Sequence, residues 1–410
     1  MTSSSRPRLL IIGGNFAGLS AARALSSRHF DVTVIDPTPN FEWLPHIHEL
    51  ISRHKKAEQL RHDRQQLLDR AGHRFLQDTV TAIDKSQQRV QLASGQYLAY
   101  DELIVAVGNI SLIEKVKGAS EYAIPFGSVS DAERAALQLQ RLDSLSLPER
   151  PVVVVGASIE GIEVLGEIIR RYRRQWRFQL HIIEAQDTVM PQYQGMDNYL
   201  KELSHDLDVH WHTGRKVQEV CKDSVVLDNG ETLASRVTLW CAGAIPHPLL
   251  AEAGLAPQGQ YAPVNTALQS LADNHIWIAG DAASFVTNLG KQAYHALPMG
   301  ALIAKNINRM RQHQKLMPFK PLAIPSLMSF GEVGFLLSKS HALASPSLIA
   351  AKEGVFQANF NLLKFPRHVS EWHDLKDSLM SSALNISKLA KNTWIEGKLL
   401  QTRHFQARSR

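Results

Sequence analysis

Two stretches of the chain repeat one pattern: a short unbroken apolar run, a glycine turn, then a helical run carrying small residues. Leu9–Ile12 leads into Gly13, and Val152–Val155 leads into Gly156. Apolar runs of this length without alternation predict strands buried on both faces, the signature of parallel sheets rather than of half-solvated antiparallel ones. A helix is predicted over Phe16 to Leu25 after the first turn and over Ile162 to Arg170 after the second. Further apolar runs, Asp31–Ile35 and Leu180–Ile183, predict the next strand of each unit. A late run, His275–Ala279, predicts a strand ending in Gly280-Asp281, with a helix from about Lys291.

The turns carry recognisable chemistry. Gly13-x-Asn15-x-x-Gly18 and Gly156-x-Ser158-x-x-Gly161 each bring backbone amides and a helix N-terminus toward the place where a pyrophosphate sits. Asn15 replaces the usual middle glycine, and asparagine tolerates the unusual dihedrals such a turn demands. Each following strand ends in an acid, Asp36 and Glu184, able to accept hydrogen bonds from both hydroxyls of an adenosine ribose. Two such units, each with strand, helix and distal acid in place, are a far more specific signal than one.

After Pro325 this patterning stops. Ser329–Leu337 reads as a strand or hairpin, followed by helical stretches over Pro346–Phe365 and Trp372–Leu400. In the second stretch apolar residues recur at 372, 375, 379, 383, 386, 390 and 394, one stripe on a helix whose other face is basic. Such a stripe either lies in a membrane interface or packs on protein, and geometry alone does not separate the two.

Composition narrows the class. At 410 residues, 44% hydrophobic and 20% charged, the chain builds two or three domains with a sizeable core, which excludes disordered and fibrous classes. No apolar run of about 18 residues spans a bilayer, and the polar start is no secretory signal. The expected location is therefore cytoplasmic, with attachment to the inner face of a membrane left open. The net charge of +6 is concentrated at the end: residues 364–410 hold nine Lys/Arg against four Asp/Glu, a balance of +5.

Gly-Asp281 after two dinucleotide turns points to a flavin, whose ribityl chain the aspartate binds while the following helix aims its positive end at the pyrimidine. Ala106-Val-Gly108 and Ala242-Gly243 each end a strand and mark where the chain crosses between domains. With these residues in place, the chain resembles the FAD- and NAD(P)H-dependent pyridine nucleotide oxidoreductases with two dinucleotide-binding domains. Within them it looks most like type II NADH dehydrogenases and the ferroptosis-suppressor type of quinone reductase, a resemblance covering about residues 8–335. It implies an α/β fold: a Rossmann-like FAD domain (1–120 and 255–325), an inserted Rossmann-like NAD domain (121–254), and a C-terminal α+β extension (326–410). It also implies hydride transfer from NADH to FAD and onward reduction of a quinone-type acceptor, with the protein supplying orientation and electrostatics.

On that resemblance the FAD site comprises Gly13, Asn15, Phe16, Ala17, Gly18, Asp36, Ala106, Gly108, Asp281 and Ala293. The NAD(P)H site comprises Gly156, Ser158, Ile159, Glu160, Gly161, Glu184 and Gly243. Glu184 repels a 2′-phosphate, so NADH is expected over NADPH. Glu163 is expected near the nicotinamide, and Lys291, in Lys291-Gln-Ala-Tyr294, near the flavin and Glu163; these are the two catalytic candidates. Where type II dehydrogenases carry glutamines along this helix, Tyr294, Pro298 and Met299 stand instead, which puts a standard respiratory quinone site in question.

Other features weigh less. Cys221 and Cys241 are too few and too late for a redox disulfide beside the flavin. His46, His48, His54 and His62 lack metal-site spacing, so no metal is expected, though His46 or His48 can assist protonation near the flavin. Five arginines in Arg170–Arg177 complement a helix C-terminus, and no nucleic acid is expected. Two alternatives stay open: a reductase of an acidic iron–sulfur protein docking on those arginines, and a non-enzymatic nucleotide-sensing flavoprotein. Homodimerisation is equally open.

Overall fold

In the computed structural model, residues 6–285, 293–321, 325–339, 341–363 and 403–406 are described. Lys291 and the stretch Trp372–Leu400 lie outside them. Two five-stranded parallel sheets dominate the chain. The first runs Ile276–Ile278, Glu102–Val105, Arg8–Ile12, Asp31–Asp36, Arg74–Gln77. The second runs Ala123–Pro125, Val237–Trp240, Pro151–Val155, Gln179–Glu184, Val209–Thr213. In both, the strand leading into a glycine turn lies at the centre of the sheet, so its side chains are buried on both faces and must be apolar. The late strand Ile276–Ile278 pairs with Glu102–Val105, so the first sheet closes only after the second has been completed.

The two chain crossings between the sheets meet. Asn109–Ser111, directly after Gly108, pairs antiparallel with Ala244–Pro246, directly after Gly243. The glycines adopt φ +69° and +65°, a left-handed turn that side-chain-bearing residues rarely adopt, and so redirect both crossings into one ribbon.

Close backbone approach ties the helices to the sheets and to each other. The helix Phe16–Ala24 meets the helix Ala293–Arg311 so closely that a Cβ on Gly300 would stand 2.0 Å from Ala17 O. Ser20 Oγ donates to Leu297 O across the same contact (2.6 Å). The longer helix Ile159–Tyr172 follows the second turn and extends past the expected end by two residues. Its Gly166 lies against a third unit, where a Cβ would be 2.4 Å from Gly331 N.

That third unit is the C-terminal extension. Strands Ser326–Phe330, Val333–Leu337 and His341–Ser345 form an antiparallel meander, joined by Arg403–Gln406 at its edge. The helix Ser347–Leu362 packs on it, with Gly334 allowing contact at Leu348. Among the described residues no helix is long and apolar enough to cross a membrane.

Gly300→Val forces the two helices apart at a backbone contact. The expected loss is about 3 kcal/mol, at the upper end for overpacking, read as a lowered midpoint in urea-induced unfolding; an unchanged midpoint contradicts the tight approach.

Candidate functional site

Both glycine turns are built alike, to the level of single atoms. Gly13 and Gly156 adopt φ +93° and +94°. A Cβ on Gly18 or Gly161 would lie 1.8 Å from the carbonyl oxygen of the first glycine of its own turn. Beneath the turns pass Ala106 and Ala242: a Cβ on Gly13 would meet Ala106 O at 2.3 Å, one on Gly156 would meet Ala242 Cα at 2.8 Å. Asn15 and Ser158 occupy the N-cap positions with no side-chain bond to the helix amides, so those amides stay available to an anion.

Asn15 corrects one expectation. Its φ is −92°, ordinary extended backbone, so no unusual dihedral requires asparagine there. The side chain instead ties the turn to the next segment, accepting from Glu42 N (3.3 Å) and donating to Glu42 O (3.4 Å).

The two distal acids are also held alike. Gly14 N donates to Asp36 Oδ2 (2.8 Å), and Ala157 N to Glu184 Oε2 (2.9 Å). The second oxygen of each takes a backbone N–H two residues on, from Thr38 (2.9 Å) and Gln186 (2.9 Å). Among the described residues only the first unit adds a cationic side chain: the buried guanidinium of Arg64 pairs with Asp36 Oδ1 (2.8 Å) and donates to Gly14 O (3.1 Å). Asp281 is met by Asn109 Nδ2 (3.0 Å), from the crossing ribbon.

Glu163 is the centre of a buried polar cluster. It sits one turn into the second helix, and the C-terminal extension closes over it. Lys352 Nζ donates to Glu163 Oε1 (2.5 Å), His48 Nε2 (2.9 Å) and Ser329 Oγ (3.0 Å), which uses all three ammonium hydrogens. Ser329 N donates to Glu163 Oε1 (3.0 Å). His48 Nε2 accepts from Lys352, so the proton of a neutral ring lies on Nδ1, facing Glu163 Oε2 at 3.3 Å. Burial, with the charge of Lys352 second, holds the His48 imidazole well below its ordinary value, hence neutral. Burial raises Glu163, while Lys352 and the Ser329 amide work in the opposite sense. One turn either side, burial pushes Glu160 up to about 8 and Glu167 to about 7.

A second layer supports the cluster. Lys55 Nζ reaches Glu353 Oε2 (2.6 Å) and Glu49 Oε2 (3.5 Å), and lies over the Phe356 ring. His46, Glu49 and Glu353 bring ligand-type atoms within 4.8 Å of one another, but the Lys55 ammonium already supplies the cation. Trp43 Nε1 also donates to His46 Nδ1 (3.0 Å), which leaves Nε2 protonated in the neutral ring and without a lone pair for a metal.

Lys352 is the residue that the sequence reading missed. Leu348, Lys352, Phe356 and Phe360 recur at intervals of four along the apolar face of their helix, and all are buried. A single lysine on an apolar stripe was the available signal. In the arginine run, three of the five side chains already have partners within the fold. Arg170 pairs with Glu332 and Glu167, Arg171 donates to Ile51 O, and Arg173 pairs with Asp206.

Comparison with known proteins follows the same lines. Residues 7–300 match the pyridine nucleotide-disulphide oxidoreductase family. A demethylphylloquinone reductase of Synechocystis is 24% identical over 379 residues, covering 87% of this chain and 93% of its own. An alternative NAD(P)H-ubiquinone oxidoreductase of Arabidopsis thaliana is 25% identical, covering 82% and 74%. The structure of NDH2 from Plasmodium falciparum in complex with NADH superposes with a TM-score of 0.74 at 17% identity, over 81% of this chain and 90% of the other.

Removing one partner of the buried pair leaves an uncompensated charge. Lys352→Met should cost about 3–5 kcal/mol, and the double variant Glu163→Gln/Lys352→Met should recover most of it. Equal losses in single and double variants, by urea unfolding, would contradict the pairing. Glu167 predicts a pH dependence. Its folded value of about 7 lies above the unfolded 4.5, so the folded state binds its proton more tightly. The stability this contributes is present below pH 4.5 and is lost as pH rises through 7. Glu167→Gln should therefore gain about 2–3 kcal/mol over the native chain between pH 5 and pH 8, measured by unfolding at both values.

Proposed function

Because this chain belongs to the pyridine nucleotide-disulphide oxidoreductase family, we propose that it is an FAD-dependent NADH:quinone oxidoreductase. The observation that carries this reading is the duplicated turn: two glycine cradles with exposed helix amides, each facing a carboxylate held by backbone N–H groups. Two relatives matched over 93% and 74% of their own length are named as a demethylphylloquinone reductase and an NAD(P)H-ubiquinone oxidoreductase, which supports the acceptor class.

The FAD unit, 1–120 with 255–325, would hold its pyrophosphate on the amides following Gly13, Asn15 and Gly18, beside Phe16 and Ala17. Asp36 would take the adenosine ribose, while Ala106, Gly108, Ala293 and Asp281, the last met by Asn109, would serve the flavin end. The NAD unit, 121–254, would use Gly156, Ser158, Ile159, Glu160, Gly161 and Gly243, with Glu184 accepting from the ribose. Both Glu184 carboxylate oxygens accept from backbone N–H groups, and among the described residues no cationic side chain bonds to that carboxylate. A 2′-phosphate would be repelled by it, so NADH is preferred.

Bound FAD supplies the redox chemistry: it accepts hydride and yields two electrons. The chain supplies position and a proton. The reaction NADH + H⁺ + quinone → NAD⁺ + quinol takes one proton from water per turnover. Lys352 Nζ and Glu163 hold that proton out of solvent, with neutral His48 bridging them from Nε2 to Nδ1. Lys291 remains a second candidate donor on the flavin side. No cysteine precedes Cys221, so electrons leave without a thiol relay. Attachment to a membrane surface through Trp372–Leu400 would bring a lipophilic quinone within reach.

The test is anaerobic stopped-flow on the flavin-loaded protein. NADH should bleach the flavin at least tenfold faster than NADPH, and a short-chain quinone should restore the colour. Glu163→Gln and Lys352→Gln should slow recovery at least tenfold and shift its pH profile while flavin stays bound. Bleaching without recovery by quinone in the native protein overturns the acceptor; unchanged recovery in both variants overturns the roles of Glu163 and Lys352.

A further inference from the structure

Three of the chain's 18 histidines gather where the nucleotide chemistry makes no use of them, at the outer edge of the second sheet. His210 and His212 are alternate residues of the edge strand Val209–Thr213 and therefore project from one face. His181 lies on the neighbouring strand Gln179–Glu184, in register with His210, and projects from that same face. Two imidazoles separated by two residues on one strand and a third on its neighbour form a triangle about 7 Å by 5 Å at Cβ. A metal site of three imidazoles has these dimensions.

Two of the three side chains are already drawn together, and the third stacks beside them. His181 Nδ1 and His212 Nε2 are 3.0 Å apart, close to the roughly 3.3 Å separating two imidazole nitrogens on one tetrahedral zinc. The His210 ring stacks on His181, with centroids 5.0 Å apart. A carboxylate attends the far nitrogen of each outer ring: Asp208 Oδ1 lies 2.6 Å from His210 Nε2, and Glu231 Oε1 lies 4.0 Å from His212 Nδ1. Carboxylates in that position fix the tautomer of metal-bound histidines and raise their basicity. The Asp208 bond leaves His210 Nδ1 as that ring's lone pair, and His212 Nε2 already faces His181. A histidine at position 181 gains little as packing, since Val153 beside it and Ile183 on the same face are apolar and buried.

We propose that His181, His210 and His212 bind a divalent transition cation of the zinc class, with water in the fourth position. The imidazole set suits zinc, copper or nickel over magnesium or calcium. Binding replaces the hydrogen bond between His181 Nδ1 and His212 Nε2: the proton of the neutral His181 ring moves to its Nε2, and the imidazoles coordinate with no net proton release. It also requires the His210 ring to turn off its stack. The ion would pin the edge strand to its neighbour, and Glu231 would bring in the hairpin between Ser224–Leu227 and Thr232–Ala234.

The flavin-loaded protein, stripped with a chelator, is titrated with Co²⁺ and then Zn²⁺. The expected result is one equivalent of cobalt with the visible absorption of a four-coordinate site, displaced by zinc, and a zinc-dependent rise in the unfolding temperature. His181→Asn should abolish the cobalt bands and weaken zinc at least a hundredfold; Asp208→Asn should weaken it about tenfold. His210→Ala, at an exposed position, keeps the test valid if the buried variant does not fold, and should also weaken zinc at least tenfold. Near-ultraviolet circular dichroism of each variant reports the fold. Absence of cobalt bands in the native protein, or zinc affinity unchanged in the folded variants, overturns the proposal. None of these readouts depends on turnover, so the oxidoreductase reading stands or falls separately.

Discussion

A carboxylate and an ammonium, both removed from water, meet where three parts of the chain converge. Glu163 comes from the helix of the second turn, Lys352 from the C-terminal helix, and His48 from the segment after the first acid. Neither charge is tolerable alone in that interior, because desolvation costs several kcal/mol per ion unless a partner and hydrogen bonds offset it. Ser329 supplies an amide that donates to the carboxylate and a hydroxyl oxygen that accepts the ammonium's third bond. Docking of the extension and assembly of the polar cluster are thus one event. The contact of Gly166 with Gly331 is what lets the backbones come near enough for it.

The duplication of the turns extends to their differences. Both acids are held by two equivalent backbone donors, yet among the described residues only Asp36 also pairs with an arginine. One architecture therefore presents two strand-end carboxylates in different electrostatic surroundings.

Much of the site could be read from residue order. The glycines, Asp36, Glu184 and Asp281 announce themselves because their chemistry depends on backbone conformation and strand ends, which are local properties. Glu163 was singled out by the family resemblance of its motif, Gly161-Ile-Glu163. Its partner was not, since Lys352 lies 189 residues away and no local rule links the two. Lys291, the lysine favoured on resemblance, lies outside the described residues, and the lysine that meets Glu163 belongs to another helix. Arg64 and Asn109 were equally silent: each is an ordinary polar residue in a plausible surface segment until the fold turns it inward.

By itself the sequence determined the two parallel sheets, their glycine turns and the order of the units, because buried apolar runs and positive-φ glycines leave few alternatives. It also excluded a thiol relay through the mere position of its cysteines. Tertiary structure decided which charges are neutralised and by what. It gave Arg170 and Arg173 separate acids and Arg171 a backbone carbonyl, brought Asn109 to Asp281, set Lys352 on Glu163, and gathered His181, His210 and His212 on one sheet edge. The physical reason is the same in each case: electrostatic partnership acts through space at a few ångströms, and chain separation carries no information about it until the backbone has closed.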